Sequence, residues 1–210
     1  MIKIICEQKS EAWFTARLGR VTGTGCKDMM AAKTTATYKN LIADIASEII
    51  TNSGEDEEGY TNEWMQRGID LEPEARKTYE LLFDCKIEQV GFITPDEDNE
   101  YSEWVGISPD GLTSDSGMIE IKCPKKSTHM HYISSGKLPS EYKWQVMFQL
   151  YVTGLNYCDF ISYYPGLKPF IIRVLPDKET FNQIENELDL LIIEVKKLIE
   201  SYNKYDYEKS

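Results

Sequence analysis

The chain has 210 residues and a formal net charge of −12, with 41% hydrophobic and 28% charged residues, which suits one domain with a sizeable core. No apolar run approaches the roughly 18 residues of a membrane span, and Met1-Ile2-Lys3-Ile4-Ile5-Cys6-Glu7 turns polar too soon for a signal peptide. A soluble cytoplasmic protein without a membrane partner is therefore expected. Its five cysteines, Cys6, Cys26, Cys85, Cys123 and Cys158, stand singly; that pattern speaks against a zinc module, an iron–sulfur cluster or a disulfide framework and leaves reduced packing residues.

In chain order, Ser10 to Arg17 reads as a short helix with a Ser cap and a Gly19 stop, and Thr22 to Gly25 opens a second. Tyr38, Leu41, Ile42, Ile45 and Ile49 recur at helical spacing. Leu71, Ala75, Tyr79 and Leu82 mark another amphipathic helix, with Pro73 in its first turn. Strands follow over Ile87 to Thr94, Val105 to Leu112 and Met118 to Cys123, then a helix from Pro139 to Thr153 stopped by Gly154. Asp159 to Tyr164 and Phe170 to Leu175 are two more strands, meeting at the Pro165-Gly166 turn. His129-Met130-His131 sets two histidines at strand spacing, but without further ligands nearby they read as polar surface. On the last helix Phe181, Ile184, Leu188, Leu191, Val195, Leu198 and Tyr202 alternate spacings of three and four after an Asp177 cap, a seam expected to pack on the same domain. The sum is one α/β (α+β) domain over 1–210, with a central mixed sheet flanked by helices and a C-terminal amphipathic helix over about 178–203.

The chemistry concentrates in Ser108-Pro109-Asp110-Gly111 and Ile119-Glu120-Ile121-Lys122-Cys123-Pro124. Two carboxylates offer hard oxygen ligands to Mg²⁺ or Mn²⁺, and an ammonium beside them can assist water or balance charge on a phosphate. On a strand, Glu120 and Lys122 share one face while Ile119, Ile121 and Cys123 take the other, which is expected to be the core face. Thr113-Ser114-Asp115-Ser116-Gly117 is turn chemistry, so Gly111-Leu112 and the Met118 strand pair as a hairpin that returns Asp110 to Glu120. An isolated Glu-x-Lys is ordinary for a half-exposed strand; the Pro-Asp-Gly at hairpin distance is what points to a site.

A nucleic-acid protein usually carries a basic footprint. Here the acid gathers in Glu55-Asp56-Glu57-Glu58, in Asp96-Glu97-Asp98-Asn99-Glu100 and along the last helix, where it reads as solvated surface. The total charge therefore does not exclude a DNA substrate.

With these residues in view, the chain resembles the lambda exonuclease-type (YqaJ-like viral recombinase) family of the PD-(D/E)xK nuclease superfamily, over about residues 10 to 175. The landmarks are Trp13-x-x-x-Arg17-Leu18-Gly19 with Val21-Thr22, Arg67-Gly68-x-x-x-Glu72, Ser108-Pro109-Asp110-Gly111, Glu120-x-Lys122-Cys123-Pro124, and Gln145 ahead of Val152-Thr153-Gly154. The resemblance implies a restriction-endonuclease-like core with Asp110, Glu120 and the Ile121 backbone carbonyl as metal ligands. It makes Lys122 the catalytic lysine, Gln145 the residue that positions water, and Glu72 a further acid reaching metal directly or through water. A plain surface pair of Glu72 with Arg76 is the alternative. Gln149 shares a helix face with Gln145, but only Gln145 matches the family; a buried structural glutamine is the competing reading.

The resemblance also assigns Arg17, Thr24 and Ser108 to the 5′-phosphate of a DNA end, with Thr24 in place of the family's usual serine. A guanidinium forks well onto phosphate, although a helix-terminal arginine can also serve final carbonyls. Trp64 reads as a packed tryptophan, with a wedge at the DNA end as its alternative. The implied activity is a Mg²⁺-dependent 5′-to-3′ exonuclease on linear duplex DNA, with one or two ions per site and Mn²⁺ able to substitute. It would release 5′-mononucleotides and leave 3′ overhangs for recombination with a single-strand annealing protein, working as a homotrimer ring in a phage or prophage host. The alternatives are a restriction or repair endonuclease of the same superfamily and a catalytically silent DNA-end binder.

Overall fold

The computed structural model describes residues 1–54 and 63–206; the Glu55–Glu58 run, the side chain of Trp64 and the tail beyond Asp206 lie outside the described residues. Its centre is a mixed sheet of β2 (Ile87–Glu88), β4 (Gly111–Thr113), β5 (Gly117–Lys122), β6 (Tyr157–Ser162) and β7 (Phe170–Val174), in the order β2-β4-β5-β6-β7. Only the β5–β6 pair is parallel; the others are antiparallel. A separate two-stranded sheet joins β1 (Ile2–Ile4) to β3 (Phe92–Thr94).

Helices cover both faces of the sheet. The larger core, with Val146, Phe148 and Leu150 of α6 (Lys143–Thr153), Tyr38 and Ile45 of α3 (Ala36–Thr51), and Ile184, Leu188, Leu191 and Val195 of α7 (Lys178–Lys204), closes on one side. A smaller cluster of Ala75 and Tyr79 from α4 (Glu63–Phe83) with Ile119, Ile121 and Ile161 closes the other. Strand β5 is thus buried on both faces, with Met118 in the larger core and Ile119 and Ile121 in the smaller. Ile119 and Ile121 take a core face as expected, and the face bearing Glu120 is covered as well, because β5 sits in the middle of the sheet between two helical layers.

The end-of-element chemistry is as expected at several points. Ser10 caps α1 (Glu11–Arg17) through the Trp13 N–H, and Gly19 beyond it adopts φ +70°. The short α2 (Gly25–Met29) follows the Thr-Gly-Thr segment. Asp177 caps α7 by accepting from the Thr180 N–H, and Gly154 ends α6 in the left-handed region. Cys26 and Cys158 are buried and all five thiols are free.

Four expectations are revised. Pro73 lies in the interior of α4, because that helix begins at Glu63; the proline is on the exposed side, where water can take the carbonyl its missing N–H leaves unbonded. Leu82, placed on the apolar stripe, is 58% exposed, since the contact with the sheet ends at Tyr79. The single strand expected over Ile87 to Thr94 is divided between two sheets. At Gly91 a Cβ would fall 2.2 Å from the Cys6 carbonyl oxygen, so β3 leaves the main sheet through a pass open only to glycine. Val105 to Leu112 likewise forms isolated bridges at Val105 and Ile107 before β4, with Pro109, which has no N–H to give a ladder, in the gap.

An unexpected helix, α5 (Lys126–Ser135), fills the β5-to-α6 connection. It overturns the reading of His129 as polar surface: His129 is fully buried, its Nδ1 2.8 Å from Ser162 Oγ and its Nε2 3.0 Å from the Lys168 carbonyl oxygen. His131 is exposed. The first α6 turn is preceded by a 3-10 turn over Ser140–Tyr142, in place of a continuous helix from Pro139. Among the described residues no helix is long and apolar enough to cross a membrane.

Candidate active site

The β4–β5 hairpin forms with Gly111 opposite Ile119 and Leu112 opposite Met118. It carries Asp110 to the edge of β5, where Asp110 Oδ2 accepts from the Ile121 N–H at 2.5 Å. The turn before it is pinned from outside, since Gln8 Nε2 donates to the carbonyls of Val90 (3.0 Å) and Pro109 (3.2 Å).

Glu120 points to the α6 side and is only 2% exposed. Its Oε1 accepts from Gln145 Nε2 at 2.7 Å and pairs with Lys122 Nζ at 2.5 Å, while its Oε2 accepts from Gln149 Nε2 at 2.8 Å. Gln145 and Gln149 are one helical turn apart, so one face of α6 presents two amides to one carboxylate. Gln149 is the residue that the family pattern passed over. The signal that could have found it was its i, i+4 relation to Gln145 next to a buried acid.

Burial, and then repulsion from Glu120, raise the Asp110 carboxyl well above its ordinary 3.8, against the pull of Lys122. For Lys122 burial works downward, but the Glu120 and Asp110 carboxylates outweigh it and leave the amine above its ordinary 10.5. In the metal-free protein these carboxylates thus favour the charged ammonium. Lys122 Nζ also lies 5.2 Å from the centre of the Tyr142 ring.

Glu72 makes the i, i+4 pair with Arg76 that stood as the alternative to a site role. Arg76 is itself 9% exposed and donates from Nε to the Asp110 carbonyl oxygen at 3.1 Å, so the pair is anchored on the site and not on open surface. Glu72 is one of the charges that raise Asp110. Among the described residues no group of three or more His, Cys, Asp or Glu side chains is disposed to hold a metal ion. Two mutually repelling carboxylates fit a hard cation that retains several waters, as Mg²⁺ does.

On α1, the Arg17 guanidinium lies 4.1 Å from the Trp13 ring centre, and Trp13 Nε1 donates to Ser108 Oγ at 2.8 Å. Trp13 thus joins two of the three residues expected at a 5′-phosphate, and Ser108 stands two positions before Asp110. The third, Thr24, is exposed at the start of α2, its hydroxyl 3.3 Å from that of Thr22.

Known proteins share this fold. The family model for the YqaJ-like viral recombinase domain matches residues 12–156. Two solved structures of an alkaline exonuclease (LHK-Exo) from Laribacter hongkongensis superpose with TM-scores of 0.81, covering 93% of this chain and 97% of theirs. One is 36% identical; the other, 35% identical, is a complex with dAMP. A phage-related exonuclease from Haemophilus somnus 129PT shares the fold at 14% identity, with a TM-score of 0.63 over 87% of this chain and 96% of that one. No curated protein gives a significant sequence match. The fold is the PD-(D/E)xK type expected from the sequence. By the span of the family model and this identity over nearly the whole chain, the protein belongs to the YqaJ-like viral recombinase family.

Proposed function

We propose that the protein is a nuclease, and specifically a Mg²⁺-dependent exonuclease that enters linear duplex DNA at an end and digests the 5′-ended strand. The observation that carries this is Asp110, Glu120 and Lys122 gathered at one hairpin, with Arg17 tied through Trp13 to Ser108 beside it. The family and the 36% identical alkaline exonuclease support a nuclease role. The direction of digestion rests on the Arg17 pocket.

Asp110, Glu120 and the Ile121 carbonyl would hold the metal, with Glu72 reaching it through water. A divalent cation there supplies Lewis acidity towards the phosphate and a more acidic water. Gln145 and Gln149 hold Glu120 in one rotamer, so its oxygens need not reorganise during reaction. Lys122, beside Glu120, would assist the attacking water or stabilise negative charge on the scissile phosphate. Arg17 and Ser108, with Thr24, would hold a 5′-terminal phosphate and so set which strand enters. Digestion would release 5′-mononucleotides and leave 3′ single strands, for an annealing partner acting in the cytoplasm of the phage or prophage host. A homotrimer encircling DNA is the assembly proposed.

The test is digestion of linear duplex bearing a 5′-phosphate, of the same duplex with a 5′-hydroxyl, and of covalently closed circles, across a Mg²⁺ titration. Preferred cutting of the phosphorylated end is expected, with Arg17→Ala erasing that preference more than it lowers the overall rate. Rapid cutting of closed circles would sink the end-dependent reading.

A further inference from the structure

In a chain of net charge −12, positive side chains gathered beside the catalytic hairpin carry information about the substrate. An open cavity of about 590 Å³ is lined by Arg67, Lys125, Lys126, Ser127 and Tyr164, three cations and no carboxylate. It begins where the catalytic strand ends. Arg67 reaches across from α4 and donates from Nη1 to the carbonyls of Cys123 (2.6 Å) and Pro124 (3.0 Å), fixing the two residues between Lys122 and Lys125. Those acceptors are neutral, so its positive charge stays in the cavity. The Arg67 guanidinium also lies 4.8 Å from the Tyr164 ring centre. Lys125 and Lys126 are exposed.

We propose that this cleft binds the phosphate backbone of the DNA strand on its way through the site. Arg67, Lys125 and Lys126 meet phosphates adjacent to the scissile one, and Tyr164 packs on a sugar or base. The inference rests on the nuclease reading and adds the track that delivers the strand to Lys122. The same phosphate chemistry is offered by a released 5′-mononucleotide, which makes a product pocket the competing source.

The experiment measures binding of a labelled 5′-phosphorylated duplex with Ca²⁺ in place of Mg²⁺, from about 50 to about 200 mM salt. The double variant K125Q/K126Q should reduce the magnitude of the log–log salt slope by about 2, one per lost phosphate contact, and weaken binding equally across DNA sequences. Lys39→Gln, an exposed lysine of α3 that does not line the cavity, should leave the slope unchanged. An unchanged slope in the double variant would overturn the proposal. A second arm titrates a deoxynucleoside 5′-monophosphate as an inhibitor of digestion. Weaker inhibition with a wild-type duplex slope would also overturn the strand assignment, in favour of a product pocket. Should the unaltered protein fail to cut DNA with Mg²⁺, the nuclease reading falls, while the salt slopes still report whether the cleft meets phosphate.

Discussion

Glu120 shows how much the site depends on single atoms. A carboxylate 2% exposed must have its lone pairs occupied, and the two glutamine amides and the Lys122 ammonium do so. Gln149 accepts a cost for this: its own Oε1 is buried without a partner. A bond to a charged acceptor is worth about 1.5–3 kcal/mol, against about 1–3 for the orphaned carbonyl, so facing the amide N–H at Glu120 is the better orientation. Gln149→Leu should lower Mg²⁺-supported cutting by about 10–100-fold and raise the Mg²⁺ concentration needed, as loss of a partner behind a metal ligand does. A fall in Tm with unchanged Mg²⁺ dependence would mark Gln149 as structural only.

Asp110 yields a pH prediction at the same scale. Its carboxyl is raised above the ordinary 3.8 in the folded metal-free protein, so the folded state holds the proton more tightly than the unfolded chain does. Its contribution to stability is then complete below about pH 3.8 and is lost as pH rises through the folded pKa. A divalent cation binds the deprotonated form, so added Mg²⁺ should raise Tm more at pH 8 than at pH 5. Thermal scans with and without Mg²⁺ at both values check this, and Asp110→Asn should remove most of the difference.

At the scale of elements, the site is a product of how β4 reaches β5. Gly111, directly after Asp110, leaves no room for a side chain, since a Cβ there would lie 2.1 Å from Ile87 Cγ2. Gly111→Ala should therefore push β2 from β4, destabilising the protein by about 1–3 kcal/mol, read as a lowered Tm. The displaced Asp110 should reduce cutting as well. Helix α4 acts on both ends of the site: Arg76 grips the Asp110 carbonyl, and Arg67 grips the chain after Lys122. Its sequence gave the apolar stripe down to Tyr79, but not the arginines' roles, because a carbonyl partner leaves no trace in side-chain patterning.

For the whole molecule, α7 is the element with apolar side chains on both its packed and its solvent sides. Ile184, Leu188, Leu191 and Val195 are fully buried against the body, while Leu190, Ile193, Leu198 and Tyr202 are 46%, 48%, 41% and 60% exposed. The three-four repeat therefore packs on the same domain through Val195, as expected, while its last two members, Leu198 and Tyr202, are exposed. A native mass measurement should give three times the 24.2 kDa of the chain if the proposed ring forms; a monomer would remove the ring from the reading. The same scale resolves the charge question, since a total of −12 coexists with a cleft lined by Arg67, Lys125 and Lys126.

What the sequence by itself determined is whatever is local: the caps at Ser10 and Asp177, the stop at Gly154, the turn between Gly111 and Met118, and the alternation that puts Glu120 and Lys122 on one face. These follow from backbone and side-chain preferences within a few residues. Tertiary structure alone decided that β5 is buried on both faces, that His129 is a bonded core residue on a helix, and that Gln149 joins Gln145 at Glu120. It alone gathered Arg67 and two lysines into one cleft. Such facts depend on partners far apart in the chain, and a buried polar group reveals its purpose only when the atom that satisfies it comes into place.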